Sequence, residues 1–226
     1  PYTTLFRSHE LYNMGHLYEA AAAYYQATGK KNLLDIATKS AKHINKVFFE
    51  GDPNYNAGKP VNQAPGHEEI EIALVKLYRV TGDSLYLNMA KKFIDIRGVT
   101  YVPDGKGTMS PEYAQQHAPV REQDKAVGHA VRAVYLYSGM SDVGTLTGDA
   151  TLSPALDKIW GNIVDTRMHI TGGLGAIHGI EGFGPEYELP NKEAYNETCA
   201  AVGNVFFNHR MFLLEKDGKY MDVAEV

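Results

Sequence analysis

A single cysteine, Cys199, stands in a chain of 226 residues, so no internal disulfide framework can hold this fold together. Long apolar runs are missing too: no stretch reaches the roughly 18–20 residues that a membrane-spanning helix needs. Charge of one sign never accumulates. Twenty-two lysines and arginines are interspersed with 27 acidic residues, for a net charge of −5. No basic stripe exists to track a phosphate backbone, which argues against nucleic acid as a partner. What is present is enough for one sizeable core, with 44% hydrophobic and 11% aromatic residues.

Both ends differ from the rest. PYTTLFRS, residues 1–8, continues no capping or amphipathic pattern of the HELYNMGHL that follows. It can be encoded by CCC TAC ACG ACG CTC TTC CGA TCT, the end of a common sequencing-library adapter. We read these residues as a translated adapter fused to a truncated reading frame; different codons in the gene would overturn that reading. An ordinary N-terminal tail is the alternative. The closing KYMDVAEV carries no helix stop signal, so the C-terminus also reads as cut.

Between the ends the sequence repeats itself loosely. HELYNMGHLYEAAAAYYQATGKKNLLDIATKSAKHI is one unit, and GHEEIEIALVKLYRVTGDSLYLNMAKKFIDIRG the next. VGHAVRAVYLYSGMSDVGTLTGDATLSPALDKIWGNIV is the third, and NETCAAVGNVFFNHRMFLLEKDGKYMDV begins a fourth. In each, an apolar helix leads through a glycine turn to a second, amphipathic helix. Leu11, Met14, Tyr18, Ala21, Ala22 and Tyr25 recur at helical spacing, as do Val127, Ala130, Val131 and Val134. Thr28-Gly29, Thr81-Gly82 and Thr147-Gly148 supply the left-handed residue that ends a helix. Strand signals are few, and the best flank the glycine-rich segment 170–190.

Stacked helix pairs form either an open solenoid or a closed ring. The first helices have broad faces rich in small residues (AAAAYY, AVGHAVRAV, CAAVGNV), as an inner layer contacted on several sides requires. The expected fold is therefore all-α: an incomplete (α/α)6 barrel or toroid of about four αα-hairpins. A short glycine-rich strand or loop excursion is expected near 170–190. Polar residues gather at the starts of these first helices. His9, Glu10, Tyr12, Asn13 and His16 open the first, and Gln63 to Glu69 the second. Gly128-His129 follows Pro119 to Gln123, and Tyr195 to Cys199 open the fourth. In a ring, parallel inner helices would bring all of them to one mouth.

Each piece alone has a bland reading. A helical histidine is more often structural than a ligand. Glu68, Glu69 and Glu71 read as a solvated face or a first-turn dipole effect. Gly-Gly-Leu-Gly at 172–175 lacks the Lys-Ser/Thr of a phosphate loop and reads as turn chemistry. Gly-His recurring near three successive first helices is harder to dismiss: three imidazoles at equivalent depths would line one pocket. A lone cysteine is usually a packing residue. Glu197, at i−2, meets Cys199 only if it sits at or before the first turn, which Asn196 as an N-cap would allow. Thiolate with carboxylate suits zinc, but four-coordinate zinc needs two more ligands. His209, about 15 Å farther along an unbroken helix, cannot be one.

HELYNMGHL, PGHEEIEIALVKLYRVTGD, PVREQDKAVGHAVRAVYLYSGM, ITGGLGA, YELPN and ETCA, in this order, resemble glycoside hydrolase family 127 over residues 9–226. These are β-L-arabinofuranosidases on an (α/α)6 barrel. The resemblance implies a retaining mechanism in which a zinc-bound cysteine thiolate is the nucleophile and a glutamate the general acid/base. It implies zinc held by the Glu and Cys of an E-x-C motif, here Glu197 and Cys199, and by two adjacent cysteines farther along. Glu181, sixteen residues before Glu197, takes the acid/base role, whereas spacing alone leaves Glu186 and Glu188 as rivals. His16, His67 and His129 match histidines that contact the sugar. An arabinofuranosyl oligosaccharide or glycoconjugate is the implied partner, with no nucleic acid and no membrane. This sequence has no adjacent cysteine pair, so the expectation is a partial barrel, 9–226, inactive alone, whose nucleophile lies past Val226. Two other readings stand beside it: a zinc-independent sugar epimerase or unsaturated-uronide hydrolase on the same ring, and a helical-repeat binding module without catalysis.

Overall fold

The computed structural model describes residues 9–101 and 110–226. The tail 1–8, read above as a translated adapter, lies outside the described residues. The chain divides into two compact units, Pro1–Thr100 and Tyr101–Val226.

The first unit holds two helix pairs: α1 (Glu10–Thr28) with α2 (Asn32–Asn45), and α3 (Ile70–Thr81) with α4 (Ser84–Ile96). Helix α1 buries Leu11, Gly15, Tyr18, Ala21 and Ala22 on one face. That face packs mainly on α3. Small residues are what permit the approach: a Cβ at Gly15 would lie 2.6 Å from Glu69 Cγ. The second helices are amphipathic, and α4 buries Tyr86, Met89, Ala90, Phe93 and Ile94 while its polar side faces outward. Each such side chain taken out of water contributes about 1.5–3 kcal/mol. Asp83 starts α4 by accepting a hydrogen bond from the Leu85 N–H at 3.0 Å.

The second unit repeats the scheme with α5 (Ala130–Thr147), α6 (Ser153–Thr166), α7 (Thr198–Glu215) and the short α8 (Lys219–Ala224). Helix α5 is buried without a break from Ala130 to Gly144, so it is contacted on every side. Its closest neighbour is α7, where Gly203 leaves room for the Val134 side chain. Two polar ties cross this core: Arg210 donates to Asp142 at 2.7 Å, and Trp160 Nε1 donates to Asn208 at 2.7 Å.

The eight α-helices among the described residues match the expected helix pairs. Gly29, Gly82 and Gly148 end theirs in the left-handed conformation, at φ 69°, 72° and 69°. First helices pack on first helices within each unit, as an inner layer does. The strand-or-loop excursion takes its loop form, and one expectation, the start of α5, changes. The 170–190 segment forms no strand among the described residues, only isolated bridges from Gly182 to His129 and to Ile177. Positive φ at Gly172 and Gly175 turns the chain too often for a ladder. Helix α5 starts at Ala130 rather than Val127, because Gly128 at φ 70° breaks the pattern.

Candidate active site

In the second unit, the isolated bridges set the site. Phe183 N–H donates to the Gly128 carbonyl at 2.9 Å, and Ala130 N–H, one of the unpaired donors opening α5, donates to the Glu181 carbonyl at 3.1 Å. Both glycines are needed for this approach: a methyl at Gly128 would overlap the Glu112 carbonyl, and one at Gly182 the Gly128 carbonyl. Glu181 itself is held at φ 51°, ψ 42°, a left-handed conformation that costs a non-glycine residue about 1 kcal/mol or more.

Pinned in this way, the Glu181 side chain faces His129. His129 is the N-cap of α5, and its Nδ1 accepts from the Arg132 N–H at 3.4 Å. That bond fixes the proton on Nε2, which donates to Glu181 Oε2 at 3.2 Å. Nearby, the Tyr195 ring stands edge-on to His178, with ring centroids 5.2 Å apart. Burial first, then hydrogen bonding to Glu181 and the charge of Glu197, push the tyrosine above its ordinary pKa. The two rivals for the proton-transfer role are placed otherwise. Glu186 accepts from Asn162 at 3.0 Å and pairs with Arg167 at 3.6 Å, and Glu188 is exposed on the loop beyond.

Asn196 is not the N-cap of α7. It sits at φ 50° with its N–H on the Gly175 carbonyl at 2.7 Å, and its side chain fits where a Cβ on Gly173 would stand. Glu197 is the N-cap, in extended backbone at φ −70°, ψ 133°. One residue of shift satisfies the geometric condition for Glu197 to meet Cys199, whose thiol is exposed. Hydrogen bonding to Glu197 first, then burial and the carboxylate charge, push the thiol above its ordinary pKa. Glu197 Oε2 is buried with no hydrogen-bond partner. A ligand oxygen of Glu197, one of Glu181 and a ring nitrogen of His129 all lie within 4.8 Å of one another. A carboxylate with one buried oxygen unsatisfied, a thiol beside it and nearby imidazole fit part of a zinc donor set.

The first unit brings together His16 and His67. Tyr12 packs edge-on against His16 and tilted against His67, with ring centroids 4.4 Å and 4.2 Å away. His67 Nδ1 donates to the Glu68 carbonyl at 2.8 Å, which makes Nε2 the acceptor side of the ring. His16 faces buried Glu69 at 3.6 Å. The three Gly-His pairs are not equivalent: His16 lies inside a helix, His67 in the irregular chain before α3, and His129 at an N-cap. Nor are the glutamates a solvated face. Glu68 and Glu71 are buried against fully buried Arg97, at 2.6 Å and 3.4 Å, and the same guanidinium donates to the Pro65 carbonyl.

The family model "Beta-L-arabinofuranosidase, GH127 catalytic domain" matches residues 2–226. The chain belongs to this family. It is 41% identical over 238 aligned positions to the non-reducing end β-L-arabinofuranosidase of Bifidobacterium longum subsp. longum, covering 99% of this chain and 35% of the relative. Among solved structures it resembles a GH127 β-arabinofuranosidase at 54% identity and TM-score 0.87, over 96% of this chain and 32% of the other. It also resembles a GH127 β-L-arabinofuranosidase from Geobacillus stearothermophilus T6, at 43% identity and TM-score 0.90, over 98% and 36% of the two chains. The chain thus spans about a third of the length of these relatives.

GH127 membership bears out the family resemblance, and the helix pairs of each unit fit the all-α fold class that went with it. Within this GH127 chain, the second unit gathers four of the six expected site residues (His129, Glu181, Glu197 and Cys199), and the first unit the other two. Sequence reasoning passed over Tyr195, two residues before Glu197, whose ring stands edge-on to His178. No spacing rule links a tyrosine to a histidine seventeen positions earlier, so the contact is visible only in three dimensions.

Proposed function

We propose that this chain carries the proton-transfer carboxylate and two of the zinc ligands of a retaining β-L-arabinofuranosidase. Its substrate would be an arabinofuranosyl oligosaccharide or glycoconjugate. The observation that carries the reading is Glu181 held by His129 at 3.2 Å, with a Glu197 oxygen within 4.8 Å of the same imidazole. Glu181 donates a proton to the leaving oxygen as the glycosidic bond breaks, then takes one from the water that releases the sugar. A half-exposed carboxylate can exchange protons with solvent between these steps, and the Glu181 side chain is 47% exposed. Glu197 and Cys199 hold the metal, together with ligands from outside this chain. Zinc bound there would keep a thiolate available at neutral pH. His16, His67 and His129 contact sugar hydroxyls; the acceptor side of the His67 ring suits a hydroxyl donor.

The test uses the whole protein that carries this chain. Arabinose release from a chromogenic β-L-arabinofuranoside, with close to one zinc per chain by elemental analysis, supports the reading. Absence of zinc in a folded, inactive protein would sink it. Glu181→Gln is expected to lower the rate on an unactivated arabinoside by about 10²–10⁴-fold while zinc content is kept.

A further inference from the structure

His129 is held by its backbone as well as by its ring. Its N–H donates to the Tyr113 carbonyl at 3.2 Å. The Tyr113 ring stands edge-on to the imidazole, with centroids 5.5 Å apart. The other hold comes from Gln115, a fully buried side chain. Its Nε2 donates to the Val127 carbonyl at 2.8 Å and, in a longer bond, to the His129 carbonyl at 3.3 Å. One amide thus ties both neighbours of Gly128, the positive-φ glycine that turns the chain into α5.

Gln115 does this from a strained backbone. It stands at φ 52°, which residues with a side chain rarely adopt. Gln123, also buried, keeps that turn in shape: its Nε2 donates to the Gln115 and Ala118 carbonyls, both at 2.9 Å. Glycine would satisfy the turn without strain, but it would bring no amide to Val127 and His129.

Resting on the function proposed above, we propose that Gln115 is a positioning residue for proton transfer: its amide fixes the backbone of His129 so that the imidazole meets the Glu181 carboxylate at hydrogen-bond distance. Without that tie the cap at Arg132 would still hold Nδ1, but the ring would shift with the 127–129 segment. Misplacement of about 1 Å can cost on the order of 10²-fold.

The test reads kcat/KM of the whole protein on an alkyl β-L-arabinofuranoside, whose leaving alcohol needs its proton in the bond-breaking step. Gln115→Met keeps the volume and removes the donor. It is expected to lower kcat/KM by about 10–100-fold with zinc content unchanged. The same substitution in a His129→Ala background should cost less than about twofold more, because the group it positions is gone. A merely structural role would give the same loss in both backgrounds and overturn the inference. Wild-type rates in Gln115→Met, loss of zinc, or full activity in His129→Ala would do so too. Gln115→Asn, whose amide stops one methylene short of both carbonyls, is a second variant and should show the same dependence on His129. If neither variant folds, Gln115 serves the fold alone and the inference falls. Glu181→Gln, measured alongside, separates the two claims. If it spares the alkyl substrate, the assignment of the proton donor falls and the proposed function with it. If it loses activity while Gln115→Met costs the same with and without His129, only the role of Gln115 falls.

Discussion

His129 Nε2 lies 3.2 Å from Glu181 Oε2, although 52 positions of sequence separate them. One imidazole does two jobs at once: Nδ1 caps helix α5 at Arg132, and Nε2 faces the carboxylate. The cap thereby decides which tautomer Glu181 meets.

These jobs can be separated by substitution. His129→Asn can keep a side-chain acceptor for the helix N-terminus but cannot reach Glu181. It should leave the unfolding midpoint nearly unchanged and lower arabinosidase activity of the whole protein by about 10–100-fold. His129→Ala should lose the same activity and also about 1 kcal/mol of stability. Thermal unfolding run beside the kinetics checks both. A variant pair that differs in activity but not in stability would contradict the assignment.

The approach of Gly182 to Gly128 makes a second prediction. Gly182→Ala places a methyl on the Gly128 carbonyl, so the two segments must separate. Overpacking of this kind costs about 1–3 kcal/mol. Gly128→Ala should cost more, because it adds the left-handed penalty at φ 70° to the collision with the Glu112 carbonyl. Urea midpoints should fall in that order. In the whole protein both should lose more activity than a stability-matched change in α2, since the bridge sets where Glu181 points.

Arg97 is the counter-charge for two carboxylates with no exposed surface to spare. Removing one partner of a buried ion pair costs about 3–5 kcal/mol, because the remaining charge stays buried. Arg97→Met should therefore destabilise the protein by an amount in that range, read as a urea midpoint shift. Arg97→Lys should recover only part of it. A single ammonium lacks the planar fork that reaches Glu68, Glu71 and the Pro65 carbonyl together.

Arg97 also shows where sequence reasoning ran out. Gly29, Gly82 and Gly148 were legible as helix ends because a left-handed residue is a local requirement, met by glycine wherever it falls. The packing of α1 on α3 was legible from small residues at helical spacing. The burial of Glu68 and Glu71 was not, since their neutralising partner lies 26 or more positions away in a stretch, DIRGV, that carries no signal of its own. At the site, Glu181, Glu197 and Cys199 were reached through motif resemblance, and geometry then set Glu186 apart by its pairing with Arg167. The 170–190 excursion, open between strand and loop in the sequence, is a loop because positive φ at Gly172 and Gly175 turns the chain too often for a ladder.

The turn between α5 and α6 carries a pH-dependent tie. Asp149 accepts from Thr151 N–H at 3.1 Å and from the Thr151 hydroxyl, and Arg121 donates to it at 2.7 Å. The Thr151 bond first, then Arg121, draws its pKa down to about 2. An unfolded aspartate titrates near 3.9, so the folded state binds this proton more weakly. The stabilisation is then complete above about pH 5 and drains away as pH falls from about 4 to about 2. Asp149→Asn keeps the shape and removes the charge. At pH 7 it should cost about 1 kcal/mol, the scale of a partly exposed charged pair. The gap between wild type and variant in urea midpoint should narrow steadily below pH 4 and close near pH 2. A gap that stays constant with pH would show that Asp149 acts through its shape alone, as a turn residue whose ionisation the fold does not use.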